Sequence, residues 1–161
     1  MDEEGKILGH AQRRTLPERP YQEVIRDMAE AAKEAVRKSG VAMEDVASIG
    51  VGVPGFFDKK SGVVVFCTNL GWHDVPLRAE MQRYINLPLY GDNDATVAGF
   101  AEAVCGVSRG VKNSVFLTLG TGLGGGIVID GKIWSGSHGV GGGLGHIMYQ
   151  YDGVRCTCCH L

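Results

Sequence analysis

A dense run of glycines near residue 120 constrains the fold of this chain more than any other stretch. Five of the seven positions from 120 to 126 are glycine, and a β-prone run lies on either side. Glycine is a poor former of helices and strands, so such a run indicates backbone freedom or close approach. The spacing Gly120-x-Gly122-x-x-Gly125 satisfies the dinucleotide-binding pattern, but that pattern needs a helix next, and here a strand follows. The run therefore predicts a turn between two strands, either a loop folded over nucleotide phosphates or a plain glycine-rich hairpin.

Length and charge exclude several classes of protein. The chain has 161 residues and a formal net charge of −2, a length that fits one ordinary domain or one domain plus part of another. Because no run of basic residues is present, nucleic acid is not expected as the main partner. The acidic first residues carry no apolar leader, and no apolar run approaches the roughly 20 residues that cross a bilayer. We therefore expect a cytoplasmic protein without a membrane partner.

Hydrophobic periodicity predicts an α/β chain. Apolar residues recur at helical spacing from 21 to 39, between Pro20 and Gly40. The apolar run 46–53 is typical of a buried parallel strand. Further elements are predicted as strands at 63–66 and 87–90, helices at 77–85 and 96–105, and a weak strand at 5–14 that we interpret as the second arm of a hairpin.

Turn-forming and polar residues follow two of these strands. Pro54 and Gly55 close the run 46–53, at the strand end where open α/β sheets place ligands, although an ordinary turn explains them equally well. Asn69 lies in a loop after the next strand and can both donate and accept hydrogen bonds, which suits a sugar hydroxyl. Trp72 lies in the same loop and either stacks on a ligand or, as we favour, packs in the core.

Asp94 lies in the most polar of these stretches, residues 91–95, between a predicted strand and a predicted helix. A carboxylate at this position can act as a general base on a hydroxyl group. The alternative is helix capping, in which Asn93 or Asp94 accepts hydrogen bonds from amides of the first turn. On this stretch alone, capping is the favoured interpretation.

The five cysteines fall into two groups. Cys67 and Cys105 lie among apolar residues and are expected to be small core residues. The other three crowd together near the last residues, beyond a second glycine-rich stretch that ends at His146. Clustered cysteines in a chain without an export segment favour metal over disulfides. Cys156-x-Cys158 and the upstream His146 supply three ligands suited to tetrahedral zinc.

Taken in order, five motifs of the chain resemble those of the ROK family, and within it the bacterial ATP-dependent glucokinases. The motifs are Val51-Gly-Val-Pro-Gly55, Asn69-Leu70, Gly91-Asp-Asn-Asp-Ala95, the Gly120–Gly126 turn, and Gly145-His146 with Cys156-x-Cys158. The resemblance implies the actin-like ATPase (ribonuclease-H-like) fold, an α/β fold of two lobes with a sugar cleft between them. It implies an N-terminal α/β lobe at residues 1–112, with its first strand missing, and the start of an incomplete second lobe at 113–161.

The resemblance also implies an activity, the transfer of the γ-phosphoryl group of ATP to the 6-hydroxyl of glucose or a related hexose, with Mg²⁺. Asp94 matches the catalytic base. The implied binding residues are Pro54, Gly55, Asn69, Asn93, Asp94 and His146 for the sugar, Gly120, Thr121, Gly122 and Gly124 for the nucleotide, and His146, Cys156 and Cys158 for structural Zn²⁺.

The sequence also departs from the family pattern. The family begins with a strand and an Asp-x-Gly-Gly-Thr phosphate loop, which this sequence lacks, and Gly143 stands where the family has a sugar-binding glutamate. Cys159 replaces a glycine, and the family's third zinc cysteine does not follow. We therefore expect an internal fragment with impaired kinase activity, and a non-catalytic sugar-binding or regulatory protein is the alternative. A missing first strand would leave a sheet edge unpaired, so a homo-oligomer is also expected.

Overall fold

The computed structural model describes residues 1–120, 122–148 and 150–153, and the chain divides into two compact units. The N-terminal unit comprises residues 1–94 and the C-terminal unit residues 95–161. The elements are helices α1 (Tyr21–Ser39), α2 (Leu77–Gln82) and α3 (Asp94–Cys105), and strands β1 (Ile49–Val53), β2 (Phe56–Asp58), β3 (Val63–Cys67), β4 (Trp72–Val75), β5 (Leu89–Asn93), β6 (Ser114–Leu119), β7 (Leu123–Ile129) and β8 (Lys132–Ile133). Short 3₁₀ turns lie at Met43–Asp45, Thr68–Leu70 and Leu144–His146. The lobe boundary predicted after residue 112 stays a prediction.

Helix α1 spans the predicted residues, which confirms that prediction. Pro20 precedes it, where a missing N–H removes no helical hydrogen bond. Gly40 ends it in the left-handed conformation, with φ of 76°, and donates its N–H to the carbonyl of Arg37. Val24 and Ile25 on its apolar face are buried, which anchors the helix to the core of the N-terminal unit.

The N-terminal unit contains two sheets. Strands β1 and β5 pair in parallel, with Ile49 opposite Leu89 and Val53 opposite Asn93. Because parallel strands end at the same edge of a sheet, the residues that follow β1 and β5 emerge side by side. Strands β2, β3 and β4 form an antiparallel sheet in that order.

One apolar cluster fills the interior of the N-terminal unit. Its largest fully buried side chains are Ile25, Val64, Cys67, Leu77 and Met81. Trp72 packs in the same cluster with 5% of its surface exposed, which confirms the core interpretation of this tryptophan over ligand stacking.

The C-terminal unit is built on the predicted glycine hairpin. Strands β6, β7 and β8 form an antiparallel sheet in sequence order, and Leu119 pairs with Leu123 at the end of the hairpin. The glycines of β7 let helix α3 approach the sheet closely. A Cβ on Gly126 would lie 3.2 Å from the carbonyl oxygen of Ala95 and 3.3 Å from the Cα of Gly99. None of the described helices has the length and apolar character needed to cross a membrane.

The structure corrects several of the predicted elements. Residues 5–14 form no strand, and instead Gly9 lies so close to α1 that a Cβ there would come within 2.2 Å of the carbonyl oxygen of Ala35. Strands β2 and β4 were not predicted, because they are short and defined by their pairing with β3. Strand β5 runs on to Asn93, so helix α3 begins two residues before the predicted start.

Cys105 is a further correction. It is exposed at the last turn of α3, where its thiol donates to the carbonyl of Ala101 at 3.3 Å, so the core placement was wrong. Apolar neighbours in sequence do not determine which side of a helix end faces the core. Cys67 is buried, as predicted.

Candidate functional site

Asp94 is placed where β5 ends and α3 begins, next to the end of β1. Asp94 is exposed to solvent. Gly52 makes this placement possible, because a Cβ at that position would lie 3.2 Å from the Cα and 3.5 Å from the Cβ of Asp94. A carboxylate at the carboxyl edge of a parallel sheet occupies the usual ligand position of α/β folds.

The turn at Pro54 and Gly55 is held against β5 by the side chain of Asn93. The carboxamide nitrogen of Asn93 donates to the carbonyl of Gly55 at 3.3 Å and, more weakly, to that of Val53 at 3.5 Å. The backbone N–H of Gly55 also donates to the carbonyl of Val53 at 2.7 Å. The turn and the predicted sugar ligand Asn93 therefore form one hydrogen-bonded unit.

Asn69 joins this group through Cys67. The thiol of Cys67 donates to the carbonyl of Pro54 at 3.3 Å. Cys67 directly precedes the Thr68–Leu70 turn. Burial raises the pKa of its thiol, and the charge of Asp94 adds to that shift. Four predicted sugar residues and the predicted base are thus brought together in the N-terminal unit. Asn69 itself is exposed in the Thr68–Leu70 turn.

An ion pair and an arginine fix the end of β5. Lys59 pairs with the carboxylate of Asp92 at 2.5 Å, and the other oxygen of Asp92 accepts the N–H of Asn93 at 2.9 Å. Arg78 donates to the carbonyls of Lys59, Lys60 and Leu89 at 2.8–3.2 Å. These contacts connect the β2–β3 turn to strand β5, which ends at Asn93 immediately before Asp94. They therefore restrain the strand on which the site is built.

A cavity of about 280 Å³ lies next to these residues, slightly below the roughly 300–1,000 Å³ usual for small-molecule sites. It is lined in part by Gly52, Pro54, Leu70 and Trp72. Of the predicted sugar residues, Pro54 alone lines this cavity, and Asn93 and Asp94 lie outside its lining.

The glycine hairpin divides into an open part and a packed part. Gly120 and Gly122 have open space where a side chain would stand, and the N–H of Gly120 closes the turn onto the carbonyl of Gly122 at 2.9 Å. Gly124 to Gly126 belong to β7, and a Cβ on Gly124 would lie 2.8 Å from that of Ala95. The predicted turn of 120–126 is therefore shorter, and packing alone accounts for a glycine at 124. Thr121 lies outside the described residues.

His146 is exposed at the end of the Leu144–His146 turn. The preceding Gly145 lies directly on β7, where a Cβ would overlap the carbonyl of Leu123. The predicted zinc partners Cys156 and Cys158 lie outside the described residues. Among the residues that are described, no three histidine, cysteine or acidic side chains form a metal-binding group.

Several contributors to this site were missed in the sequence. Gly52 was detectable, because a glycine between two valines of a strand indicates close approach. The Lys59–Asp92 pair, the Arg78 contacts and the position of Cys67 depend on neighbours 11 to 33 residues away, and no local pattern reveals them.

The sequence matches the model of a known protein family and the sequences of curated relatives. The ROK family model matches residues 1–160. The glucokinase of Thermotoga maritima is 38% identical over 159 residues, which are 98% of this chain and 49% of that protein. The xylose repressor of Caldicellulosiruptor bescii is 35% identical over 137 residues, which are 85% of this chain and 34% of that protein.

A solved structure agrees with these matches. The crystal structure of a ROK family glucokinase from Streptomyces griseus in complex with glucose and AMPPNP superposes with a TM-score of 0.85 at 35% identity, covering 98% of this chain and 48% of that one. The chain therefore has the α/β actin-like ATPase fold predicted for it. It spans about half the length of the curated relatives it matches.

Proposed function

Because this chain belongs to the ROK family, we propose that it is a sugar kinase that transfers the γ-phosphoryl group of ATP to the 6-hydroxyl of glucose. The observation that carries the proposal is the joining of Pro54, Gly55, Asn69 and Asn93 around the end of β5, next to Asp94. The similarity to a glucokinase whose crystal structure contains glucose and AMPPNP supports both substrates.

In the proposed mechanism, Asp94 accepts the proton of the 6-hydroxyl while that oxygen attacks the γ-phosphorus of ATP. The new bond joins the sugar oxygen to phosphorus, and the bond from phosphorus to the β,γ-bridging oxygen breaks to release ADP. Asn69, Asn93 and the Pro54–Gly55 turn hold the sugar hydroxyls so that the reacting oxygen stays in line. Positioning of this kind, together with electrostatic stabilisation, supplies most of the catalysis in phosphoryl transfer.

We propose that the nucleotide phosphates bind at the open part of the hairpin, Gly120 to Gly122. Two glycines without neighbours at the Cβ position leave backbone that a phosphate can approach. Mg²⁺ bound to ATP would neutralise the charge of its phosphates. Gly124 and His146 stay predictions, as nucleotide-binding and sugar-binding residues respectively.

Zinc is a separate proposal. His146 is exposed and able to bind a metal, and with Cys156 and Cys158 it would supply three ligands for a structural zinc ion. Metal analysis of the purified chain should then find about one zinc per chain, and His146→Ala should reduce that content. A zinc-free, folded chain would remove the proposal.

A homo-oligomer is also proposed. Sheet β1–β5 has only two strands among the described residues, so it presents open edges that favour association. Light scattering at several dilutions measures the state directly, and a monomer at every concentration would contradict the proposal.

A non-catalytic sugar-binding regulator is the second candidate. The observation that favours it is the similarity to the Caldicellulosiruptor bescii xylose repressor. Two measurements separate the candidates: calorimetry with glucose, and a coupled assay of ADP release with glucose, ATP and Mg²⁺. Binding with turnover supports the kinase, and binding without turnover supports the regulator when a chain extended to the length of its glucokinase relatives also shows none. Neither binding nor turnover would contradict both.

A further inference from the structure

Asp92 is a nearly buried carboxylate directly before the proposed sugar ligand Asn93 in β5. Its residue is 9% exposed. It pairs with Gly52 of β1, the glycine that makes room for Asp94. Buried charges in proteins are paired and hydrogen-bonded, because an isolated charge away from water is costly. Both oxygens of Asp92 therefore need partners within the protein.

Each oxygen of this carboxylate has a partner of its own. The Oδ2 atom lies 2.5 Å from the Nζ of Lys59, and Oδ1 accepts the backbone N–H of Asn93 at 2.9 Å. Because the two oxygens belong to one planar group, the lysine that holds the first also fixes the direction of the second. The ion pair joins the β2–β3 turn to β5, two elements that are far apart in the sequence.

The backbone that carries Lys59 is itself attached to β5. The guanidinium of Arg78 donates to the carbonyls of Lys59 and Lys60 at 2.8 and 2.9 Å. The Nε of the same arginine donates to the carbonyl of Leu89, the first residue of β5, at 3.2 Å. Arg78 therefore ties the turn to the beginning of the strand, and the side chain of Lys59 ties it near the end.

We propose that Lys59 is a positioning residue of the sugar site, which acts through Asp92 by holding the backbone of Asn93 in place. The carboxamide of Asn93 donates to the carbonyl of Gly55, so a shift of this backbone would also move the Pro54–Gly55 turn. The inference rests on the proposed function for its effect on sugar binding, while its geometry depends on contacts within the N-terminal unit. A lysine that served only the stability of the fold would leave the glucose affinity of the folded chain unchanged.

Substitutions on one turn separate these two roles. Lys59→Met removes the charge and nearly keeps the length of the side chain, and Lys59→Arg keeps a cation. Half of the Lys59 side chain is exposed, so both variants should fold. Lys60→Met is the matched control, because this neighbouring lysine makes no salt bridge among the residues that the structure describes. Urea denaturation establishes that each variant is folded under the conditions of the assay.

The first measurement is glucose binding by calorimetry on the whole chain. Because contacts between charged groups are among the stronger polar contacts, Lys59→Met should weaken glucose binding roughly tenfold. Lys59→Arg should stay within about threefold of the parent, and Lys60→Met should match the parent. An unchanged glucose affinity in folded Lys59→Met would overturn the positioning role.

A double substitution tests whether Lys59 acts through Asp92. Asp92→Asn keeps an oxygen that can accept the N–H of Asn93 but carries no charge for the lysine. In a chain with Asp92→Asn, the further change Lys59→Met should alter the glucose affinity by less than about twofold, because substitutions that remove the same contact are not additive. A further loss of roughly tenfold would show that Lys59 acts without Asp92, and would overturn the proposed route.

The last measurement does not depend on the sugar. Amide hydrogen exchange at Asn93, followed by NMR, should accelerate about tenfold in Lys59→Met and stay near the parent rate in Lys59→Arg and Lys60→Met. Exchange in α1 should stay unchanged, which excludes a general loss of stability. If the parent binds no glucose, the proposed function fails, and exchange alone then decides the proposal about Lys59. Equal exchange at Asn93 in the parent and Lys59→Met would overturn it.

Discussion

The two units of the chain bury very different amounts of apolar surface. In the N-terminal unit a continuous cluster runs from Val24 to Leu89. In the described part of the C-terminal unit, the buried hydrophobic residues are Ala95 and Val128. Strand β6 instead exposes 64% of Val115 and 86% of Leu119.

The difference shows how each unit holds the residues that are proposed to act in it. The N-terminal unit fixes Asn93 and Asp94 by strand pairing, buried polar contacts and a core beneath them. In the C-terminal unit, the hairpin belongs to a sheet that packs on α3 through close contacts of its glycines. Because burial of apolar surface is the main source of stability, the N-terminal unit should be the more stable of the two.

The largest effect should come from the proposed base in the N-terminal unit. Asp94→Asn removes the proposed base and should lower the kcat for ADP release with glucose and ATP by about 10²–10⁴-fold. Asp45→Asn, an exposed carboxylate in the Met43–Asp45 turn, is the control and should leave kcat unchanged. Turnover of the Asp94 variant at the parent rate would remove this residue as the base.

The second prediction tests the difference in burial directly. Leu77 is fully buried, whereas Leu117 on β6 is 53% exposed. Leu77→Ala should reduce the free energy of unfolding by about 2–5 kcal/mol, since it leaves a cavity in a packed core. Leu117→Ala should change it by less than about 0.5 kcal/mol. Urea denaturation measures both changes in the free energy of unfolding. Similar losses of stability for the two substitutions would mean that the exposed face of β6 is buried in solution.

The sequence predicted those parts of the fold whose cause is local. Helix α1 follows from its apolar spacing and from Pro20 and Gly40, and the β6–β7 hairpin follows from its glycines. The strand predicted at 5–14 failed because strand character is decided by a pairing partner, and this segment packs against α1 instead. Short strands such as β2 were missed for the same reason.

The sequence also predicted only part of the candidate site. The position of Asp94 after a strand and before a helix could be read from the residues around it. The contacts of the residues around it could not, because Cys67 reaches Pro54 and Lys59 reaches Asp92 across sheets whose pairing the sequence does not reveal. Sequence patterns therefore located the proposed base, and the structure was needed to find the contacts around it.

The third prediction compares two glycines of the hairpin. Gly124→Ala would press a Cβ against Ala95 and the methyl group of Thr118, 2.8 and 2.9 Å away, while Gly122→Ala meets open space. The first should destabilise the C-terminal unit by about 1–3 kcal/mol, as overpacking does, and the second by less than about 0.5 kcal/mol. Amide hydrogen exchange in β6 and β7 measures the stability of this unit separately from that of the N-terminal unit. Equal exchange rates in the two variants would show that α3 moves to accommodate the added methyl group without a loss of stability.

The smallest effect should appear on raising the pH, and it concerns only the N-terminal unit. Since the pKa of Cys67 is higher in the folded chain than its ordinary value of 9.0, folding retains a proton that the unfolded chain loses. The thiol's contribution to stability is complete below about pH 9 and declines as the pH rises through the folded pKa, by at most about 1.4 kcal/mol per pH unit. Cys67→Ser has no titrating thiol here, so the stability difference between parent and variant should shift in favour of the variant between pH 8 and about pH 10.5. Urea denaturation at both pH values measures that difference, with Cys105→Ser as the control that should follow the parent. A pH-independent difference would mean that the sulfur reaches solvent, and would weaken the contrast between the buried thiol of the N-terminal unit and the open hairpin of the C-terminal unit.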